Sequence, residues 1–584
     1  MEVKKIIQPY VVASLQFNPQ LRKIESNIQR LYKMVEQAAK GGAKLIVSPE
    51  MGITGYHFRD REEISRYVDT VPGTVTDIFE QLAWQYDCYI VIGLPEVDRM
   101  TGLYYNTATL LGPEGYIGKY RKIHLWEAES HWAAWGNLGM PVWDTPIGII
   151  GMTICMDSYF FETFRLAAVQ GADVVAFLTN STGGSLSNLQ ARASENCQYV
   201  VCANRSNQER NYSMIGNSAI WDPLGKLSAV AGTLEEEIVK TTIDPQQFRN
   251  RRKLMIKRRH PEMYLDLALH ISPWNSQKNE TSSDVKVACC QYKPYPFDKE
   301  ANIQTVKGLL EESWKGSEAS ELNLDLLVLP ELSFCGPPNQ IDFEKAWEFA
   351  EQISTLGILG SSMNYVSGLA KDLNTNVVFG LIEREEKRLY NTSVMIGRDG
   401  MLLGKYRKTH LSEADSTWAT AGSTVNVINV EGLGNVGFAI GSEAESPEVF
   451  ALLAIKRADL VVLPSSCARS DGELVKVSPS IHPDSGKAMV YWDIRARENC
   501  FYLIVSNYSD GEWDYIGGSG VYGIDPVYGL DKSNFLGTNV EGVMVGSVKT
   551  LPDSWYSQDR FLACRRADGT YNPLFLRYSD LKKL

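Results

Sequence analysis

Residues 150–164 read IGMTICMDSYFFETF, and 286 positions further on residues 436–450 read VGFAIGSEAESPEVF. Each stretch is a short apolar run, then a tight turn, then residues of helical character. That is the pattern of a buried strand handing over to a helix. The two align without a gap. Cys155 stands at the turn in the first, Gly441 in the second.

The match extends outward in both directions. KYRKIHLWEAES (119–130) recurs as KYRKTHLSEADS (405–416), at the same offset. LIVSPE (45–50) recurs as LVLPE (327–331), RASENCQYVVCANRS (192–206) as RARENCFYLIVSNYS (495–509), and WDPLG (221–225) as IDPVYG (524–529). The blocks keep their order, so the chain is a tandem duplication. HPEMYLDLALHISPWNSQKNETSSD (260–284) passes from a helical pattern into a polar, Ser/Asn/Thr-rich stretch. The sequence therefore predicts one domain over 1–270, a linker over 271–284 and a second domain over 285–584.

Within each copy, short strands alternate with helices. IESNIQRLYKMVEQAAKGG sets Ile24, Ile28, Leu31, Val35 and Ala38 on one face and stops at Gly41–Gly42. AKLIVSP, CYIVIGLPE, IGIIGMTIC, DVVAFLTN and YVVCANR are nearly continuous apolar runs, which suit strands covered on both faces. The fold class is α/β.

The 584 residues are too many for one ordinary core. A net charge of −12 argues against a general nucleic-acid or anionic-membrane binder. One basic run, RNRRKLMIKRRH (249–260), is read as a solvated helix face. The N-terminal apolar run is interrupted by Gln8 and Pro9, unlike a signal peptide, and no stretch reaches the ~18 apolar residues of a membrane span. The ten cysteines are scattered without metal-ligand spacing, which predicts reduced thiols, no metal and a cytoplasmic protein.

Three positions combine reactive side chains with strand ends, where α/β sheets bind ligands. Glu50 follows Pro49 at the end of LIVSPE, Lys122 lies in GKYRKIHL, and Cys155 ends GIIGMTIC. Each alone has an ordinary reading as a cap or ion pair, a surface charge and a packed thiol. Together, PE-x-x-x-T-GY (49–56), RK-x-HL (121–125), IC-x-D…E (154–162) and the RA-x-EN and DP-x-G blocks resemble the carbon–nitrogen hydrolase (nitrilase) superfamily.

That resemblance implies two αββα sandwich domains paired as an intramolecular pseudo-dimer, able to form further homo-oligomers. It implies Cys155 as nucleophile, Glu50 as general base and Lys122 as oxyanion stabiliser, supported by Glu129 and the N–H of Met156. No cofactor or metal is implied, and the expected partner is a small amide-type substrate. Lys122 and a helix beginning just after Cys155 are expected to favour the thiolate. His57, Trp126 and Trp132 lie on nearby loops, with Trp135, and either form an aromatic pocket or pack between the domains; Asn180, at the end of DVVAFLTN, is a further candidate pocket residue. Two departures affect the entrance: Phe161 stands where the family usually has Pro before Glu162, and WAAWGN (132–137) replaces an aromatic-Thr-Pro-Gly stretch.

The second copy keeps Glu331, Lys408 and Asp415 but has Gly441 for the cysteine, so it reads as a degenerate site. Ser442 is displaced by one residue at a tight turn. A fused inactive copy can act as a permanent partner at undiluted effective concentration. The longer stretch around 468–490 is either a surface loop or a lid. His124 has the counterpart His410 and reads as structural; His131 aligns with Thr417.

Met156-Asp157 after the cysteine, where true nitrilases carry Trp-Glu, favours an amidase. The alternatives are an N-carbamoyl hydrolase, a nitrilase, an acyl transferase and, from another class, a non-catalytic scaffold.

Overall fold

The computed structural model describes residues 7–184, 186–269, 283–313, 323–336, 341–354, 357–358, 360–471, 474–476, 487–509, 513–525, 533–550 and 569–577. The chain divides into two compact units, residues 1–259 with 568–584, and residues 260–567. This differs from the sequence repeat at both ends. Residues from 260 onward join the second unit because Tyr264 and Leu267 are buried there. In the same way Tyr571 and Leu574 are buried in the core of the first unit. Of the expected linker, residues 271–282 lie outside the described residues, and 283–284 already belong to the strand Ser283–Gln291.

The strands of the first unit are β1 Tyr10–Gln16, β2 Ala43–Val47, β3 Tyr89–Val97, β4 Tyr104–Gly112, β5 Gly115–Arg121, β6 Val142–Thr145, β7 Gly148–Ile154, β8 Val174–Leu178, β9 Tyr199–Ala203, β10 Gln208–Glu209, β11 Tyr212–Ser213, β12 Ala219–Trp221, β13 Leu227–Val230 and β14 Glu237–Ile243. One six-stranded sheet runs β14-β1-β2-β3-β4-β5, another β13-β12-β9-β8-β7-β6, and β10 and β11 form a small ladder. The centres β1-β2-β3 and β7-β8-β9 are parallel, and the flanks are antiparallel.

Alternation along the strands builds the layers. Val12, Leu45, Val47, Val91 and Leu110 share one core with Ile150, Met152, Ile154 and Val174 of the facing sheet. Ala13, Leu15, Ile46, Ile90 and Ile92 turn the other way, onto Leu31, Val35, Phe79 and Leu82 of helices Ile24–Lys40 and Thr74–Tyr86. The helices Phe161–Val169 and Leu189–Asn196 contribute Phe164, Leu166, Leu189 and Ala193 to the core of the second sheet. The unit is an αββα sandwich.

The second unit repeats the plan. Its sheets run Leu402–Arg407, Arg388–Ile396, Asn376–Glu385, Leu326–Val328, Ser283–Gln291, Gly542–Thr550, and Val427–Val430, Gly434–Phe438, Leu460–Pro464, Tyr502–Ser506, Gly520–Tyr522, Asn534–Phe535. In the 468–490 stretch, Leu474–Lys476 pairs antiparallel with Lys487–Met489; residues 472–473 and 477–486 lie outside the described residues. No helix among the described residues is long and apolar enough to cross a membrane.

The basic run is not simply a solvated face. Most of it lies in the helix Pro245–Lys257, capped by Asp244, and three of its arginines turn inward, Arg259 onto the Leu574 carbonyl. Arg249 lies 2.5 Å and Arg252 2.6 Å from the carboxylate of buried Asp173. Arg252 also donates to the carbonyls of Cys197 and Gly171. Burial pushes the Asp173 carboxyl up, but the two guanidinium groups and the Ile149 N–H outweigh it and hold it below its ordinary value. Removing one partner of a buried ion pair strands the other charge at a cost of about 3–5 kcal/mol. Asp173→Ala is expected to destabilise the first unit by about that amount, read as an earlier first transition in urea unfolding.

Candidate functional site

Glu50 is presented by a chain that leaves the β2 ladder at Val47 and crosses β3. The crossing is tight: a Cβ on Gly93 of β3 would lie 2.7 Å from the Pro49 carbonyl and 2.8 Å from the Met51 nitrogen. Only glycine permits that approach. Gly380 plays the same part beneath Glu331, where a Cβ would lie 2.4 Å from the Leu332 nitrogen. Lys122 follows β5, anchored by its N–H to the Asn106 carbonyl of β4 (2.9 Å). Glu129 sits in the short 3-10 turn Glu127–His131 and accepts the Trp126 N–H (2.8 Å).

These side chains meet in a closed network. Lys122 Nζ donates to Glu50 Oε1 (2.8 Å) and to Glu129 Oε2 (2.6 Å). Asn106 Nδ2 bridges the same two carboxylates, at 2.7 and 2.5 Å. Asn180 Nδ2 donates to Glu50 Oε2 (3.1 Å) and to the Glu50 carbonyl (3.0 Å). Glu50, Lys122 and Glu129 are each at most 1% exposed. Burial raises the Glu50 carboxyl above its ordinary value; Lys122 opposes this and Glu129 adds to it. For Lys122 burial acts downward, but Glu129 and Glu50 more than offset it and keep the amine an ammonium.

Cys155 follows β7 directly and opens the 3-10 turn Cys155–Tyr159. Its φ is +44°, in the left-handed region, at a cost of roughly 1–2 kcal/mol for a residue with a Cβ. The N–H groups that open such a turn have no partner within it, Met156 included. The residue as a whole is half-buried, and burial dominates the titration of its thiol. Burial and the Glu50 carboxylate push it up to about 12, against the smaller lowering by Lys122 and a hydrogen bond with Thr179. The expectation of a favoured thiolate is therefore corrected. The α-helix begins only at Phe161, too far on for its dipole to act on sulfur, and the carboxylate outweighs the ammonium. The resting group is a thiol next to a base.

Of the expected pocket residues, Trp126 stacks on Tyr56 (6.4 Å, 28°) and meets Tyr212 edge-on (5.3 Å, 88°). His57 lies 4.6 Å from Tyr212, and Tyr56 lies 5.9 Å from Lys122 Nζ. Glu209 accepts the N–H groups of Tyr56 and His57 and so fixes this loop. Trp132 is taken up in a closed cluster with Met51, Tyr56, Phe58 and Ile64, behind the others. Trp135 is 42% exposed and stands apart from that cluster. Asn106, Thr179, Glu209 and Tyr212 were not singled out from sequence. Asn106 could have been found through its repeat partner, Asn391.

The second unit holds the same network without a thiol. Lys408 lies 2.9 Å from Glu331 and 2.7 Å from Asp415, and Asn391 bridges them at 2.8 and 3.1 Å. Gly441 keeps the left-handed turn, with φ +47°. A Cβ there would lie 2.3 Å from Glu331 Oε2, which instead accepts the hydroxyl of Ser466 at 2.6 Å. Ser466 replaces Asn180. The Ser442 hydroxyl is buried without a hydrogen-bond partner among the described residues. No group of three or more His, Cys, Asp or Glu side chains that could hold a metal occurs among the described residues.

The family model described as carbon-nitrogen hydrolase matches residues 11–253 and again 286–526. The chain is 38% identical over 243 residues to a nitrilase of Pyrococcus abyssi, covering 41% of this chain and 92% of that protein. It is 31% identical over 243 residues to the human omega-amidase NIT2, covering 38% and 86%. Among solved structures, Saccharomyces cerevisiae Nit3, a member of branch 10 of the nitrilase superfamily, is 28% identical with a TM-score of 0.39, covering 44% of this chain and 97% of that one.

Gly441→Cys in a Cys155→Ala background is expected to yield no measurable hydrolysis of primary amides. The new Cβ has to displace Glu331 from Ser466 before the geometry of the first site is reached. Ammonia release from the double variant checks this, and turnover there would show that the second site is closed by the nucleophile alone.

Proposed function

The chain belongs to the carbon–nitrogen hydrolase family, and from that premise we propose that its first unit hydrolyses a small amide through a thioester on Cys155. The products are ammonia or an amine and a carboxylic acid. The observation that carries this reading is the enclosed Glu50–Lys122–Glu129 network beside a thiol held in a left-handed turn at a strand end.

Each step uses a group already described. Glu50, in its carboxylate form, takes the thiol proton as sulfur attacks the carbonyl carbon, so the thiolate need never accumulate. The developing oxyanion is stabilised by the Lys122 ammonium and the Met156 N–H; one such donor is worth roughly 2.7–4 kcal/mol of barrier. Glu50 returns the proton to the departing nitrogen. It then activates water, which attacks the thioester carbonyl and releases the acid and the Cys155 thiol. Glu129 and Asn106 hold Lys122 and Glu50 in register throughout and exchange no atoms with substrate.

His57 and Trp126, with Tyr56 and Tyr212, are proposed as an aromatic wall for the acyl portion. Trp132 supports that wall from behind, and Asn180 orients Glu50. Met156-Asp157 after the nucleophile favours an amide over a nitrile. The second unit is proposed as a non-catalytic companion, since Gly441 can form no covalent intermediate.

Ammonia release from a panel of primary amides, N-carbamoyl amino acids and nitriles is expected to be largest with an amide and abolished by Cys155→Ala. Turnover that survives this substitution would move the chemistry away from Cys155. The pH profile follows from the groups' directions. Activity requires deprotonated Glu50, whose carboxyl is raised, so kcat/KM is expected to climb with an apparent pKa above the ordinary carboxylate range of about 4–4.5. It should then stay flat through pH 9, because the thiol ionises only near 12 and Lys122 stays charged. A rise through pH 8–9 would instead mark a free-thiolate mechanism.

A further inference from the structure

The mechanism above leaves one buried chain of polar groups unused, and it ends beside the nucleophile. Asp157, two residues after Cys155, is fully enclosed. Its Oδ2 accepts the Ile154 N–H (2.9 Å) and the Tyr120 hydroxyl (2.7 Å). Its Oδ1 accepts the His124 N–H (3.0 Å) and meets His124 Nδ1 (2.9 Å). Asp157 therefore ties the turn that carries Cys155 to the segment that carries Lys122. The ring of His124 stacks on Phe160 (3.9 Å, 12°), and its far nitrogen, Nε2, meets the hydroxyl of Tyr571 at 2.7 Å. Tyr571 comes from residues 569–577, more than 300 positions beyond the end of the first unit's main stretch at 259.

We propose that Tyr571 is a positioning residue for the first site. Through His124 and Asp157 it fixes the turn of Cys155 relative to Lys122. This rests on Cys155 being the reacting thiol. Nδ1 of His124 pairs with the Asp157 carboxylate and Nε2 with the Tyr571 hydroxyl, which can donate or accept. Both ring nitrogens are then committed, so the ring's orientation is set, as it is for a metal-bound histidine by its outer partner.

The second unit supplies a built-in comparison. There the Tyr264 hydroxyl meets His410 Nε2, also at 2.7 Å. His410 Nδ1, however, bonds Thr409 Oγ1 (2.9 Å), and Thr409 bonds Glu443 (2.6 Å), with 3.9 Å separating His410 from that carboxylate. In the first unit Ile123 stands where Thr409 stands and cannot bridge, so the histidine contacts the carboxylate directly. The tyrosine's grip reaches the turn through one side chain where there is a nucleophile to hold, and through two where there is none.

The test uses the full chain with Tyr571→Phe, which removes one hydroxyl and keeps the ring. Tyr264→Phe is the matched control, and Leu574→Ala loosens the same segment without touching the relay. The readouts are the rate of Cys155 alkylation by iodoacetamide, followed on its peptide by mass spectrometry, kcat and KM on the best amide, and Tm. Tyr571→Phe is expected to slow alkylation and lower kcat on the order of ten- to a hundredfold, with KM and Tm near wild type. Tyr264→Phe should leave all four near wild type, and Leu574→Ala should lower Tm alone. Wild-type alkylation and kcat in Tyr571→Phe would overturn the proposal, as would equal losses of kcat in all three variants. Neither result touches the assignment of Cys155, which the Cys155→Ala measurement tests separately.

Discussion

The first unit is organised around a cation with no water to solvate it. Lys122 keeps its proton in the interior only because two carboxylates lie at hydrogen-bond distance from it, themselves bridged by the amide of Asn106. A lone buried ammonium costs several kcal/mol, and so does each lone buried carboxylate. None of the three can be placed without the others. That requirement fixes where β2, β4 and β5 must end relative to one another. It also explains why Gly93 must let the chain of Glu50 cross so closely over β3.

The same constraint accounts for the form of the second unit. Losing Lys408 would leave Glu331 and Asp415 as neighbouring unpaired carboxylates; losing either carboxylate would loosen the lysine. The nucleophile is the one member of the set that carries no charge at rest, so its loss strands nothing. Cysteine to glycine also removes the only residue at that turn for which a left-handed backbone is unfavourable. Once the sulfur is gone, Glu331 can settle against Ser466.

Much of this was legible in the chain. The repeated blocks gave the tandem plan. The apolar runs became strands covered on both faces, and Glu50, Lys122 and Glu129 converge as the family resemblance implied. Less was visible where the physics is long-range. The state of the thiol depends on how deeply Cys155 is covered and on which charge lies nearer, neither of which spacing encodes. Asn106, in the middle of an apolar strand, looked like an ordinary ladder residue, and the inward arginines of helix Pro245–Lys257 looked like a solvated face. The exchange of terminal segments was hidden because residues 260–269 continue the first copy in sequence while joining the second unit in space.

That exchange orders events in time. The core of the first unit contains Tyr571 and Leu574, which are synthesised only after the whole second half has been made. At about 5–20 residues per second the wait is on the order of fifteen seconds to a minute. During it, the half that carries Cys155 has emerged and its sheets can form, while His124 still lacks the hydroxyl that meets its ring. A chain cut short within the second half therefore holds Cys155 but lacks the tyrosine that meets His124.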